Sequence, residues 1–136
     1  MTDPTTLLAL AERCEQAAGP DRVLDAEITK SFIPRDATHV AHSRDGWSFI
    51  IAQEFEWLEN QPYTASLDAA VTLVPEGCDW HCQSNPSVTA CWASVSPVKR
   101  GIELLEWGSG MRRASTPALA LCAAALRARA AMAEHS

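Results

Sequence analysis

No run of this sequence is long enough and apolar enough to span a bilayer. The longest, residues 117–126, falls well short of the roughly 20 residues a membrane helix needs. No basic segment followed by an apolar one opens the chain, so no secretory signal is expected and a reducing cytoplasm is the predicted location. Polar low-complexity tracts are missing too, which excludes a chain of the disordered type. The motifs G-x-S-x-G, H-E-x-x-H, G-x-x-x-x-G-K-[ST] and G-x-G-x-x-G do not occur. Positive charge is in short supply, with 11 Lys and Arg against 17 Asp and Glu, a net charge of −6. Such a chain repels a phosphate backbone, so duplex nucleic acid is not an expected partner.

What is present fits one domain with one core. A chain of 136 residues that is 47% hydrophobic is a typical small globule. Charge is unevenly placed: residues 1–80 carry an acidic excess of nine, and residues 81–136 a basic excess of three. The five cysteines (Cys14, Cys78, Cys82, Cys91 and Cys122) are odd in number, as suits reduced thiols.

Segment 114–131 organises the pattern. Ser115 or Thr116 offers a hydroxyl cap, and Pro117 falls at the first helical position, where its missing N–H costs nothing. Leu119, Cys122 and Leu126 follow at helical spacing among alanines, so this helix can pack closely against a flat surface. At the other end, Asp3 and Pro4 start a helix with Leu7, Ala11, Cys14 and Ala18 on one stripe, ended by Gly19. Leu24, Ile28 and Phe32 mark a second helix, ended by Pro34. Residues 35–45 read as loop closing on Asp45-Gly46; Trp47, Phe49 and Ile51 alternate as in a strand, and residues 54–60 read as extended. Residues 64–74 read as a helix with Leu67, Ala70, Val71 and Val74 on one face. Strands follow at 79–83, 88–95 and 102–107, with a flexible Gly108-Ser109-Gly110 before Arg112 and Arg113. Strands joined by short turns pair antiparallel. The expected fold class is therefore α+β: a three-layer α/β/α sandwich, with helices on both faces of a small, mainly antiparallel sheet. Leu67, Val71, Trp80, Trp92, Leu119 and Leu126 are its expected core.

The wording P-Y-T-A-S-L-D-A-A-V-T-L-V-P-E-G at 62–77, the Trp-containing strand after it and T-P-A-L-A-L-C-A-A-A-L-R-A at 116–128 resemble the phage ABA sandwich domain family; D-R-V-L-D-A-E-I at 21–28 is similar to its N-terminal part. The resemblance implies a single α/β/α domain over residues 1–136, of phage or prophage origin, without an assigned activity. Residues 35–61 are longer than that pattern and read as an insertion, and Cys78 stands where the pattern has an aromatic.

Two arrangements tempt a chemical reading. Cys78, His81, Cys82 and Cys91 are ligand types that zinc prefers. On a strand, however, Cys78 and Cys82 lie about 13 Å apart and His81 faces away from Cys82, so no metal and no cofactor is expected. The same facing-apart geometry disqualifies His81 and Cys82 as a nucleophile pair. Arg112 and Arg113 lead into a helix N-terminus, where free N–H groups can hold an anion; Ser115, Thr116 and the ring of Trp107 complete a candidate anion site. Trp47, Phe55 and Trp57 sit among Glu54, Glu56 and Glu59 in the insertion, as apolar interface anchors with a charged rim do. The expected function is that of a non-enzymatic accessory protein binding a host or phage protein, or itself as an oligomer. The alternatives are sequestration of a small anionic ligand such as a nucleotide signal, as in phage counter-defence, and a small enzyme.

Overall fold

The computed structural model describes residues 3–31, 37–42, 46–51, 56–59, 61–85, 90–97 and 109–135. Helix α1 (Pro4–Gln16) begins where the Thr6 amide donates to the Asp3 carboxylate at 3.3 Å. Helix α2 (Arg22–Ser31) is capped by Asp21, whose Oδ1 accepts from the amides of Val23 and Leu24. Strands β1 (Ala37–His42), β2 (Gly46–Ile51) and β3 (Glu56–Glu59) form one antiparallel sheet in that order. After the short helix α3 (Leu67–Val71) come β4 (Cys78–Asn85), β5 (Ala90–Pro97) and β6 (Arg112–Ala114), a second antiparallel sheet. Helix α4 (Pro117–His135) closes the chain.

The core is built around α4, which packs against α1, α3 and all three strands of the second sheet. Residues 118–126 are buried without a break, because neighbours cover the helix on every side. Leu119, Leu121 and Leu126 fill the gaps, and alanines at 120, 123, 124 and 125 let α1 and β5 approach closely. From α1 come Leu7, Leu10, Ala11 and Cys14, from α2 Leu24 and Ile28, and from β5 Cys91, Ala93 and Val95.

Polar groups fix the angles between these elements. Thr64 is fully buried; its amide donates to Asp25 Oδ1 at 2.8 Å, and its hydroxyl accepts from the Asp21 amide at 2.8 Å. Asp25 is also buried, and its second oxygen accepts from Arg22 at 3.1 Å. The Cys122 thiol donates to the Tyr63 carbonyl at 3.1 Å. Segment 61–66 is thereby pinned to both α2 and α4.

Several expectations are corrected. Residues 37–42 are strand β1 and not loop, because β2 pairs with them along all six residues. Among the described residues there are two three-stranded sheets instead of one. The helix expected at 64–74 spans only five residues, Ser66 accepting from the Ala69 amide as its cap and turns following it. Helix α1 stops at Gln16 because Ala17 is already extended, so Gly19 is not its terminator and Ala18 is exposed. Arg112 and Arg113 belong to a strand, and Ser109 is buried rather than flexible in setting: its amide donates to the Val95 carbonyl and its hydroxyl accepts from the Val95 amide. The strand expected at 102–107 lies outside the described residues.

The α+β class holds: a three-stranded antiparallel sheet packs with α1 and α4. The covered face carries Cys91, Ala93, Val95 and Ala114. The opposite face carries Asp79, His81, Gln83, Trp92, Ser94, Ser96 and Arg113, a row dominated by exposed polar side chains. Burying such a row under a helix leaves polar groups without water. The six-residue core list is corrected accordingly. Leu119 and Leu126 are fully buried and Val71 and Trp92 are half-buried, but Leu67 is 37% exposed and Trp80 42%. Trp80 belongs to the covered face, yet among the described residues its strand is outermost, with a paired neighbour on one side.

Candidate functional site

The candidate anion residues are separated by the strand they share. Neighbouring residues on a strand point to opposite faces. Arg112 therefore turns inward and meets Glu15 of α1, its Nε at 2.8 Å from one carboxylate oxygen and its other nitrogen at 3.3 Å from the second. Arg127 of α4 grips the same carboxylate through two 2.7 Å bonds. Burial pushes the Glu15 carboxyl up, but the hydrogen bonds and charges of Arg127 and Arg112 outweigh it and hold the group below its usual value. Arg113 turns outward and lies over the Trp92 ring, 5.9 Å from its centroid. Ser115 donates to the Ala17 carbonyl at 2.8 Å, and Thr116 caps α4 by accepting from the Leu119 amide at 3.2 Å. The five-residue grouping is thus dispersed: Arg112 and Ser115 tie β6 and the segment before α4 to α1 and its end, Thr116 caps α4, Arg113 faces out, and Trp107 lies outside the described residues.

The aromatic anchors divide similarly. Trp47 is paired with Ala41, and Trp57 with Ile50. Positions 47 and 50 are an odd number of residues apart, so Trp47 and Trp57 hold positions on opposite faces of the first sheet. Phe55 lies outside the described residues.

Cys78, Cys82 and Cys122 occupy sites that favour the neutral thiol. Burial raises Cys78 and Cys82 above the ordinary thiol value. Cys122 is raised far more, by its hydrogen bond with Cys14 and then by burial. The thiolate is the nucleophilic and metal-binding form, so these settings oppose both uses. Among the described residues, no group of three His, Cys, Asp or Glu side chains is arranged to hold a metal ion.

What remains on the surface is a patch on the second sheet. Trp92 and Arg113 form its centre, and the His81 ring nitrogen Nε2 lies 3.2 Å from Gln83 Oε1 beside them. Trp80, on the other face of β4, is not part of this patch. Alternation in A-C-W-A-S-V-S already separates Trp92 from the buried Cys91, Ala93 and Val95. Only the register Gln83–Trp92–Arg113 brings the three side chains into one row. Comparisons with protein-family models, with curated proteins and with solved structures find no match to this chain.

Proposed function

We propose that the protein is a non-enzymatic binding module, of the phage-type accessory kind its sequence resembles, and that it recognises another polypeptide through the second sheet. The observation that carries this reading is the exposed outward row of the second sheet, with Trp92 under Arg113 at its centre. Tryptophan and arginine bury large surfaces and are the residue types that most often dominate binding energy. Glu15, Asp25 and Thr116 have structural duties: Glu15 joins three elements, Asp25 holds Thr64, and Thr116 caps α4.

A photo-crosslinking amino acid placed at Ser94, within the row, tests the proposal, with Val23 on the exposed side of α2 as control. The expected result is a discrete polypeptide adduct from position 94 that disappears on Trp92→Ala. Equal yields at both positions, or none at either, overturn the reading.

A further inference from the structure

Among the described residues, β4 is an edge strand of the second sheet. Val95 uses both its amide and its carbonyl on Ser109, toward the β6 side of β5. Trp80, opposite Val95, is therefore a non-hydrogen-bonded partner in the β4–β5 ladder. It follows that the N–H and C=O groups of Trp80, Cys82 and Ser84 point away from β5, while those of Asp79, His81 and Gln83 serve it. Among the described residues no strand pairs with that outer side, and Asp79, Trp80, His81, Gln83, Ser84 and Asn85 are all exposed. Protected edges carry Lys, Pro, a bulge or a cover; the sequence of β4, C-D-W-H-C-Q-S-N, has no Lys or Pro, and it pairs with β5 in unbroken register.

We propose that this edge pairs with the same edge of a second copy, antiparallel about Trp80, to give a six-stranded sheet across a two-fold axis. The inference goes beyond the reading of the outward row as a polypeptide-binding face, since it concerns the edge of the same sheet. The argument for a second copy is that the strand complements itself. With Trp80 opposite Trp80 of the other copy, Asp79 falls opposite His81, and the two-fold axis repeats that pair. Both occupy non-hydrogen-bonded positions, where opposed Cα atoms are only about 4.5 Å apart and side chains meet most closely. The two Trp80 rings, each 42% exposed in the single chain, meet on the other face as an aromatic cross-strand pair. The backbone agrees. Trp80 exchanges two hydrogen bonds with its counterpart, and each Cys82 amide reaches a Cys78 carbonyl. The Cys78 amide is held by Pro75 at 3.2 Å, which marks where the pairing ends. Sliding the register by two residues sets His81 against His81 and Asp79 against Gln83, and both acid–imidazole pairs are lost.

Sedimentation equilibrium on the full chain, with hydrogen exchange, tests the proposal. The parent is expected to dimerise. His81→Asp places carboxylate opposite carboxylate twice and should weaken the dimer by about tenfold or more, since each pair counts twice. Combining Asp79→His with His81→Asp exchanges the partners and should restore the parent affinity. Both positions are exposed, so the variants keep the fold. As a check without mutation, the Trp80 and Cys82 amides should gain protection as concentration rises, while those of Asp79 and His81 are protected throughout. A monomer at all concentrations overturns the second copy as partner. A dimer indifferent to His81→Asp, not rescued by the exchange, or lacking protection at Trp80 and Cys82 overturns this edge and register. In each case the polypeptide-binding reading stands or falls separately, on the crosslink from position 94.

Discussion

Glu15 shows how much one residue can do in so small a core. Its carboxylate accepts from Arg112 and Arg127, and so ties α1 to both β6 and α4. The side chain is only 15% exposed, so the pairs are weakly screened. Glu15→Gln should cost about 1–3 kcal/mol, the range for hydrogen bonds to charged groups and for leaving such partners unsatisfied. The pH dependence has a definite sign. Because the folded carboxyl sits below its unfolded value, its contribution is fully present above the unfolded pKa and is lost as pH falls through the folded one. Acid titration of stability should therefore be flatter for the glutamine variant than for the parent. Urea melts between neutral pH and about pH 3 measure both effects. Asp25 makes a parallel case. Asp25→Ala leaves the buried Thr64 amide without its acceptor and should cost about 1–3 kcal/mol, while Asp68→Ala on the exposed side of α3 should stay within about 0.5 kcal/mol.

At the scale of elements, α4 and β4 behave in opposite ways. In α4 there is no solvent face over residues 118–126, so size is constrained in both directions. Leu126→Ala should cost about 2–5 kcal/mol through the cavity it leaves. Ala124→Leu should also destabilise, by about 1–3 kcal/mol, because added methylenes have nowhere to go. Leu67→Ala on α3 removes a side chain that is already 37% exposed and should change little by comparison. Denaturant midpoints for the three variants check this ranking; a neutral Ala124→Leu would mean that α4 has room beside it. The elements also show what was readable locally. The caps of α1 and α4 were legible, since Asp3-Pro4 and Thr116-Pro117 act within one turn of their own helix. The end of α1, the length of α3 and the strand identity of 37–42 and 112–114 were not, because pairing with distant segments and packing set them.

For the whole molecule, the two tryptophans of the second sheet separate two kinds of association. Trp92→Ala removes the ring beneath Arg113 from the outward row, and Trp80→Ala removes the ring at the edge. Edge pairing predicts that Trp80→Ala weakens self-association more than Trp92→Ala, and sedimentation of the two variants at equal concentration tests this. Arg113→Ala should leave the fold intact, since its side chain is exposed and makes its ring contact from outside. Charge supports closed pairing over open-ended assembly. With a net charge of −6, chains repel one another except where complementary groups meet.

The sequence by itself determined the central helix and the alternating core of β5. Alanine-rich helical spacing and a strict two-residue period are local properties that survive in almost any tertiary setting. It also determined that Arg112 would face away from Arg113, and Trp92 away from Val95, once strands were assigned there. Only the tertiary structure decided which face was covered. Alternation divides a strand into two rows, but whether a helix lies over one row or both depends on elements far along the chain. Glu15 meets Arg112 and Arg127 across 97 and 112 residues, a separation at which no spacing rule operates. The same holds for the exposure of Trp80. Its row is the buried one, but among the described residues its strand is outermost, and strand order is a property of the assembled sheet.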